Sequence, residues 1–109
     1  EGIVRALKSF DKPVLLVASS DMTHYESHDS ATIKDRMAIT CIENRDPLGL
    51  FETVQSEKIT MCGVNPVSIM LLCSEKLGAK EAKLVKYMTS GEVSGDMEKV
   101  VGYAGMIIK

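Results

Sequence analysis

The residues able to do chemistry in this 109-residue chain gather in one polar stretch, Ser19-Ser20-Asp21-Met22-Thr23-His24-Tyr25-Glu26-Ser27-His28-Asp29, and at one cysteine, Cys62. His24 and His28 are the only histidines and stand four residues apart, a spacing that would put both on one helical face. The zinc-protease pattern His-Glu-x-x-His fails because Tyr25, not Glu26, follows His24. Its inverted form fails because Ser27 stands where the Glu belongs. Ser27, Asp29 and Ser30 are turn formers, so either histidine also reads as an ordinary hydrogen-bonded loop residue. Asp21, three residues before His24, could orient the imidazole or raise its basicity, as a carboxylate does for a general base; it reads equally well as a turn former. Ser19 and Ser20 could complete a Ser, Asp, His set, but neither lies in a Gly-x-Ser-x-Gly elbow.

The three cysteines, Cys41, Cys62 and Cys73, differ in setting. Cys41 and Cys73 fall on apolar helical surfaces, where a free thiol behaves as a small buried hydrophobe. Cys62 is followed by Gly63 and precedes the helix start at Asn65-Pro66, whose partial positive charge favours thiolate, the form that attacks and binds metals. A packed loop thiol is the alternative. Thirty-eight residues separate Cys62 from His24, so only folding could join them. The segment Ser90-Gly91-Glu92-Val93-Ser94-Gly95-Asp96 is rich in glycine but lacks the Gly-Lys-Ser/Thr ending of a phosphate loop and joins two predicted strands, which makes it a structural turn. The seven methionines follow no helical stripe and suit core gap filling.

These groups need elements to hold them. Residues 1–10 read as an amphipathic helix with Ile3, Ala6 and Leu7 on one side. Val14-Leu15-Leu16-Val17-Ala18 reads as a central, parallel-type strand buried on both faces. It empties into the polar stretch at its carboxyl end, where open α/β sheets bind ligands. Asp29 or Ser30 caps a helix to about Glu43 with Ile33, Met37, Ala38, Cys41 and Ile42 inward and Lys34, Asp35 and Arg36 outward. Asp46-Pro47 starts a helix over 48–56, carrying Leu50, Phe51 and Val54 inward. Residues 59–64 are non-helical. A helix from Asn65-Pro66 to Leu77, apolar nearly all round, is expected to lie buried between layers. Strands follow at 83–89 and 100–108. The order predicts an α/β fold, layered as α/β/α.

Composition sets the outer bounds. Thirteen basic and 15 acidic residues give a net charge of −2, and 45% of residues are hydrophobic: one domain over residues 1–109 with enough apolar content for a core. No concentrated Lys/Arg field exists for a nucleic-acid backbone. The longest apolar runs, Val14–Ala18 and Ile69–Cys73, are five residues each, far below the roughly 20 needed to cross a bilayer. Three cysteines without a Cys-x-x-Cys pair form neither a zinc-finger nor a disulfide framework, and free thiols fit a reducing compartment, the cytoplasm by default. A chain opening on Glu1 inside a helical pattern is expected to begin part-way through a longer protein.

The strings Val17-Ala18-Ser19-Ser20-Asp21-Met22-Thr23-His24-Tyr25, Met61-Cys62-Gly63 with Pro66, and Tyr87-Met88-Thr89-Ser90-Gly91-Glu92-Val93-Ser94-Gly95-Asp96 running into Val100-Val101-Gly102-Tyr103-Ala104 resemble, in order and spacing, the carboxyl-terminal half of Memo family proteins. The resemblance implies a fold similar to class III extradiol dioxygenases, which are non-haem iron enzymes. It implies that Cys62 is a metal ligand where those enzymes carry a carboxylate, that His24 is the pocket acid/base, and that Asp21 is a polar, substrate-binding wall residue. It places the two remaining ligands, both histidines, in the family's amino-terminal half; His28 has no counterpart in the pattern. A facial metal site needs three protein ligands, so this chain alone is expected to bind metal weakly or not at all, with iron or copper held by the full-length protein. A soft thiolate in place of the carboxylate favours other metals or copper(I) and weakens the case for dioxygenase activity. The resemblance also implies association with a radical SAM protein and an AMMECR-type protein, or recognition of an anionic, phosphorylated peptide. Three functions follow as expectations: one wall of a metal-centred pocket for a small molecule, a non-catalytic module for an anionic peptide, or a Cys62/His24 hydrolase or transferase. Surface uncovered by the missing half would favour a homo-oligomer of this chain.

Overall fold

The computed structural model describes residues 1–109. Its elements run α1 (Gly2–Ser9), β1 (His24–Glu26), α2 (His28–Glu43), α3 (Pro47–Ser56), α4 (Val64–Lys76), β2 (Ala82–Thr89), α5 (Gly91–Ser94) and β3 (Val100–Ile108). The three strands form one antiparallel sheet in the order β1-β3-β2. The α/β character is as expected, and α3 starts at the Asp46 cap as predicted, whereas α2 is capped by Ser27 rather than by Asp29 or Ser30 and begins at His28. Ser27 Oγ accepts the Ser30 N–H at the head of α2, and Asp46 Oδ1 accepts the Gly49 N–H at the head of α3, with Pro47 in the first helical turn.

Several expectations are corrected, the smallest being Phe51, expected inward on α3, which lies at the surface while Leu50 and Val54 are buried. Val14–Ala18 is not a buried parallel strand. It has no regular structure, residues 13–20 make no backbone–backbone hydrogen bond, and Leu15 is 85% exposed. Strand-forming side chains favour a pleated surface but do not supply a neighbouring backbone, and no neighbour pairs with this segment here. Leu15→Lys is accordingly expected to change stability by less than about 0.5 kcal/mol in urea unfolding; a larger loss would mean that the segment is packed in solution.

The buried stripe of α2 also differs from the predicted one. Ala31, Asp35, Ala38, Ile39 and Ile42 face inward, while Ile33 is 61% exposed and Met37 lies at the surface. The observed set keeps helical spacing. Ala31 and Ala38, both fully buried, let the helix approach closely, and Asp35 enters the interior because it finds donors there. Helix α4 buries Val67, Leu71 and Cys73 but leaves Ile69 and Leu72 half exposed, so it is covered on one side rather than lying between layers.

The core joins Met22, Ala38, Ile39, Ile42, Leu50, Val54, Ile59, Met61, Val67 and Leu71, with Leu84, Ala104, Met106 and Ile108 of the sheet packed against it. Val85, Tyr103 and Ile107 are exposed. Met22 and Met61 matter most for the site, since each anchors a segment that carries a chemically active neighbour.

Candidate functional site

The segment from Asp21 to His24 is hung on β3. The Met22 N–H donates to the Gly102 carbonyl, and the Gly102 N–H donates to the Thr23 carbonyl. From behind, Thr23 is fixed by Asp35 of α2: its N–H and its hydroxyl donate to Asp35 Oδ1 at 2.9 and 2.6 Å, and Tyr87 Oη donates to Asp35 Oδ2 at 2.5 Å. Thr23 and Asp35 are fully buried. A Cβ at position 102 would run into the Asp35 carboxylate and Tyr87 Oη, so only glycine lets β3 pass over this junction.

Burial, then the hydrogen bond to Asp35 and its charge, push the Tyr87 phenol above its usual value of 10.0. An acid with a raised folded pKa holds its proton more tightly when folded. Its contribution to stability is therefore complete below the unfolded tyrosine pKa of about 10 and declines as pH rises beyond it. Denaturant midpoints measured above pH about 10 are expected to fall with pH, and this slope should shrink in Tyr87→Phe.

His24 opens β1, and its register with β3 breaks at the next residue: His24 lies opposite Val101 and Glu26 opposite Val100. Tyr25 is the extra residue of this bulge, with φ 60 and an exposed ring. A left-handed backbone at a bulky residue costs roughly 1–2 kcal/mol. Bulges re-aim side chains next to functional sites. Here Glu26 turns to Ser30 and Lys34, whose hydrogen bonds, Ser30 first, hold its carboxyl below the usual value against the opposing effect of burial. His24 turns instead toward residues 60–62. Its backbone N–H donates to Thr60 Oγ1 at 2.7 Å, and its Nδ1 lies 2.5 Å from the Thr60 carbonyl oxygen. A carbonyl can only accept, so Nδ1 donates here, and Nε2 faces the Asp21 carboxylate on the other side of the ring.

Cys62 lies in the loop ahead of α4, with its thiol exposed. The Asp21 N–H donates to Cys62 Sγ at 3.4 Å, and Ser20 Oγ stands 3.9 Å from the same sulfur. Ser20 also accepts the Gly63 N–H at 2.8 Å and donates to the Asp21 carbonyl at 2.7 Å. A Cβ at Gly63 would collide with Ser20 and the Ser19 carbonyl, which explains why glycine follows the cysteine.

Together these contacts bring donor atoms of Asp21, His24 and Cys62 within 4.8 Å of one another, and His24 Nε2 is 3.5 Å from Asp21 Oδ2. An ion about 2.0–2.3 Å from each donor separates its ligands by up to roughly 4.5 Å, so the set is near the size one cation requires. The sequence marked all three residues. His28 stays apart, its Nδ1 on Thr89 Oγ1 at 2.8 Å. Cys73 is buried and Cys41 partly so, with Cys41 Sγ 3.5 Å from Thr53 Oγ1. Ser20 serves Gly63 and Asp21, and no hydrogen bond joins it to His24, so a Ser, Asp, His set is not assembled. Residues 90–96 satisfy their own polar groups, with Ser90 Oγ accepting from Val101 and Asp96 Oδ1 from Glu98, as a structural turn does. Sequence reasoning missed Asp35 and Thr60. The retrospective signal for Asp35 is that Ala31, Asp35, Ala38 and Ile42 form an uninterrupted helical stripe; Thr60 left none.

A family model described as Memo-like protein matches residues 1–107. A MEMO1 family protein of Methanopyrus kandleri is 42% identical over 109 residues, covering 100% of this chain and 38% of that protein. One of Pyrobaculum aerophilum is 40% identical over 106 residues, covering 97% and 38%, and one of Methanosarcina barkeri is 43% identical over 107 residues, covering 98% and 40%. The chain therefore spans about two fifths of the length of the relatives it matches.

Proposed function

This chain belongs to the Memo-like protein family, and from that membership we propose that it forms one wall of a metal-centred pocket, with Cys62 as a ligand, His24 as acid/base and Asp21 facing the bound small molecule. The observation that carries the reading is the convergence of three electron-pair donors within 4.8 Å, with the proton of His24 drawn away to Thr60 on the opposite side of the ring. Three lone-pair donors facing one gap repel one another unless a cation or a proton sits between them. Iron or copper held there would supply a Lewis-acid and redox centre.

The residues of this chain do the rest. The Asp21 N–H keeps the Cys62 sulfur turned to the gap. His24 Nε2 exchanges a proton with a bound hydroxyl, while Thr60 keeps the ring from rotating. The Asp21 carboxylate accepts hydrogen bonds from the ligand and excludes anions. That last point counts against an anionic or phosphorylated peptide, whose phosphate would meet a carboxylate and a thiolate at close range. The remaining ligands, and the third layer of an α/β/α dioxygenase-like arrangement, belong in this proposal to the part of the family's length that this chain does not cover. Free thiols suit a cytoplasmic setting. Association with a radical SAM protein and an AMMECR-type protein stays part of the proposal for the whole polypeptide.

The experiment is an anaerobic titration with ferrous iron and with cuprous copper, made on the complete Memo-like polypeptide that contains this segment, followed by oxygen uptake with a catechol. Stoichiometric metal, with oxygen uptake lost in His24→Ala, supports the proposal. A covalent adduct at Cys62 in metal-free protein would transfer the reading to Cys/His group transfer, and a protein that takes up neither metal would end it.

A further inference from the structure

We propose that Thr60 is the positioning residue of the pocket: it grips His24 at two points and so sets both the tautomer of the imidazole and its distance from Cys62. The inference rests on the pocket reading above for its meaning but not for its measurement. Thr60 Oγ1 accepts the His24 backbone N–H at 2.7 Å, and the Thr60 carbonyl accepts from Nδ1 at 2.5 Å. Either bond alone would leave freedom. The first fixes the His24 backbone but not its ring; the second fixes the ring only if the two backbones are already in register. Made together by one residue, they lock the imidazole plane.

Two features make this grip consequential. Thr60 is two residues from Cys62, on a segment that Ile59 and Met61 bury in the core on either side of it. A shift at Thr60 is therefore transmitted to the sulfur. On the other partner, the backbone after His24 is the left-handed bulge at Tyr25, a conformation that needs outside support to persist. The β1 register shifts there, and the His24–Thr60 bond supplies that support from outside the β1–β3 pair. Without the hydroxyl, the imidazole can turn its N–H toward Asp21, filling with a proton the gap that the present tautomer leaves open. Thr60 itself is exposed, so its substitution leaves the core untouched.

The test uses Thr60→Val, which removes the hydroxyl that accepts the His24 backbone N–H and leaves the carbonyl in place, so that the ring is held at one point only, and Thr60→Ser, which restores the hydroxyl; Thr60→Ala serves as a second variant without the β-branch. In metal-free protein, nitrogen-15 NMR of His24 is expected to report the Nδ1–H form in the native chain and in Thr60→Ser, and a substantial Nε2–H population in Thr60→Val and Thr60→Ala. Metal affinity of the complete polypeptide is expected to drop about 10- to 100-fold in the same two variants, the range for loss of a group that orients a ligand, and to recover in Thr60→Ser. An unchanged His24 signature in folded Thr60→Val and Thr60→Ala overturns the assignment. A changed signature with no metal bound by any form leaves the positioning role standing and removes the metal reading instead.

Discussion

Replacing Asp35 by alanine is expected to lower the unfolding free energy by about 3–5 kcal/mol, the largest single-residue effect on stability outside the apolar core. The carboxylate accepts from the Thr23 N–H, the Thr23 hydroxyl and Tyr87 Oη, and both Thr23 and Asp35 are fully buried. Hydrogen bonds to a charged acceptor are worth roughly 1.5–3 kcal/mol each, and a buried donor left without a partner costs about 1–3 kcal/mol. Alanine removes the acceptor for all three donors, and no water-exposed route exists for the Thr23 N–H. In a domain of about 100 residues each kcal/mol moves Tm by roughly 4–8 °C, so the variant is expected to melt at least about 12 °C lower.

Tyr87→Phe removes one donor and is expected to cost only about 1–2 kcal/mol. The double variant should fall short of the sum, because the two residues share one bond. A loss below about 1 kcal/mol for Asp35→Ala in urea unfolding would mean that the carboxylate is not buried in solution. The effect reaches the site as well, since Thr23 immediately precedes His24.

Cys62→Ser is expected to weaken metal binding by the complete polypeptide more than about 100-fold, beyond the 10- to 100-fold typical of outer groups that merely orient ligands. A serine hydroxyl is smaller, far less acidic and harder than a thiolate, and soft or borderline metals lose most by the exchange. The fold should survive, because Cys62 is exposed and its contacts are weak bonds at sulfur: the Asp21 N–H at 3.4 Å and the Ser20 hydroxyl at 3.9 Å. Anaerobic competition against a chelator of known affinity measures the change. Equal affinity in native protein and Cys62→Ser, both folded, would remove the thiolate from the metal's ligands.

Much of this site was legible in the chain before folding. Asp21 and His24 stand three apart, and polar, titratable neighbours announce their loop. Cys62 differed from the other two thiols because glycine and a helix start follow it, and the structure gives the reason for that glycine: a side chain at Gly63 would strike Ser20. Asp46 was equally informative as a cap, whereas at α2 the capping hydrogen bond is made by Ser27, two or three residues before the expected Asp29 or Ser30. The errors share one cause. Val14–Ala18 has the composition of a buried strand, yet a strand is a relation between two backbones, and no composition supplies the second one. Asp35 was placed on the solvent side because a lone carboxylate belongs there; its three donors come from residues 12 and 52 positions away.

By itself the sequence determined the family, the Asp46 cap of α3, and which side chains have reactive atoms, because each of these depends on residue type and near neighbours. Only the tertiary structure decided that His24 comes near Cys62, that Thr60 holds His24 at two points, and that Asp35 is buried beside them. Those outcomes rest on hydrogen bonds across 12 to 52 residues of chain, whose geometry is set by how α2 and the loop before α4 pack against β1 and β3 rather than by any local preference.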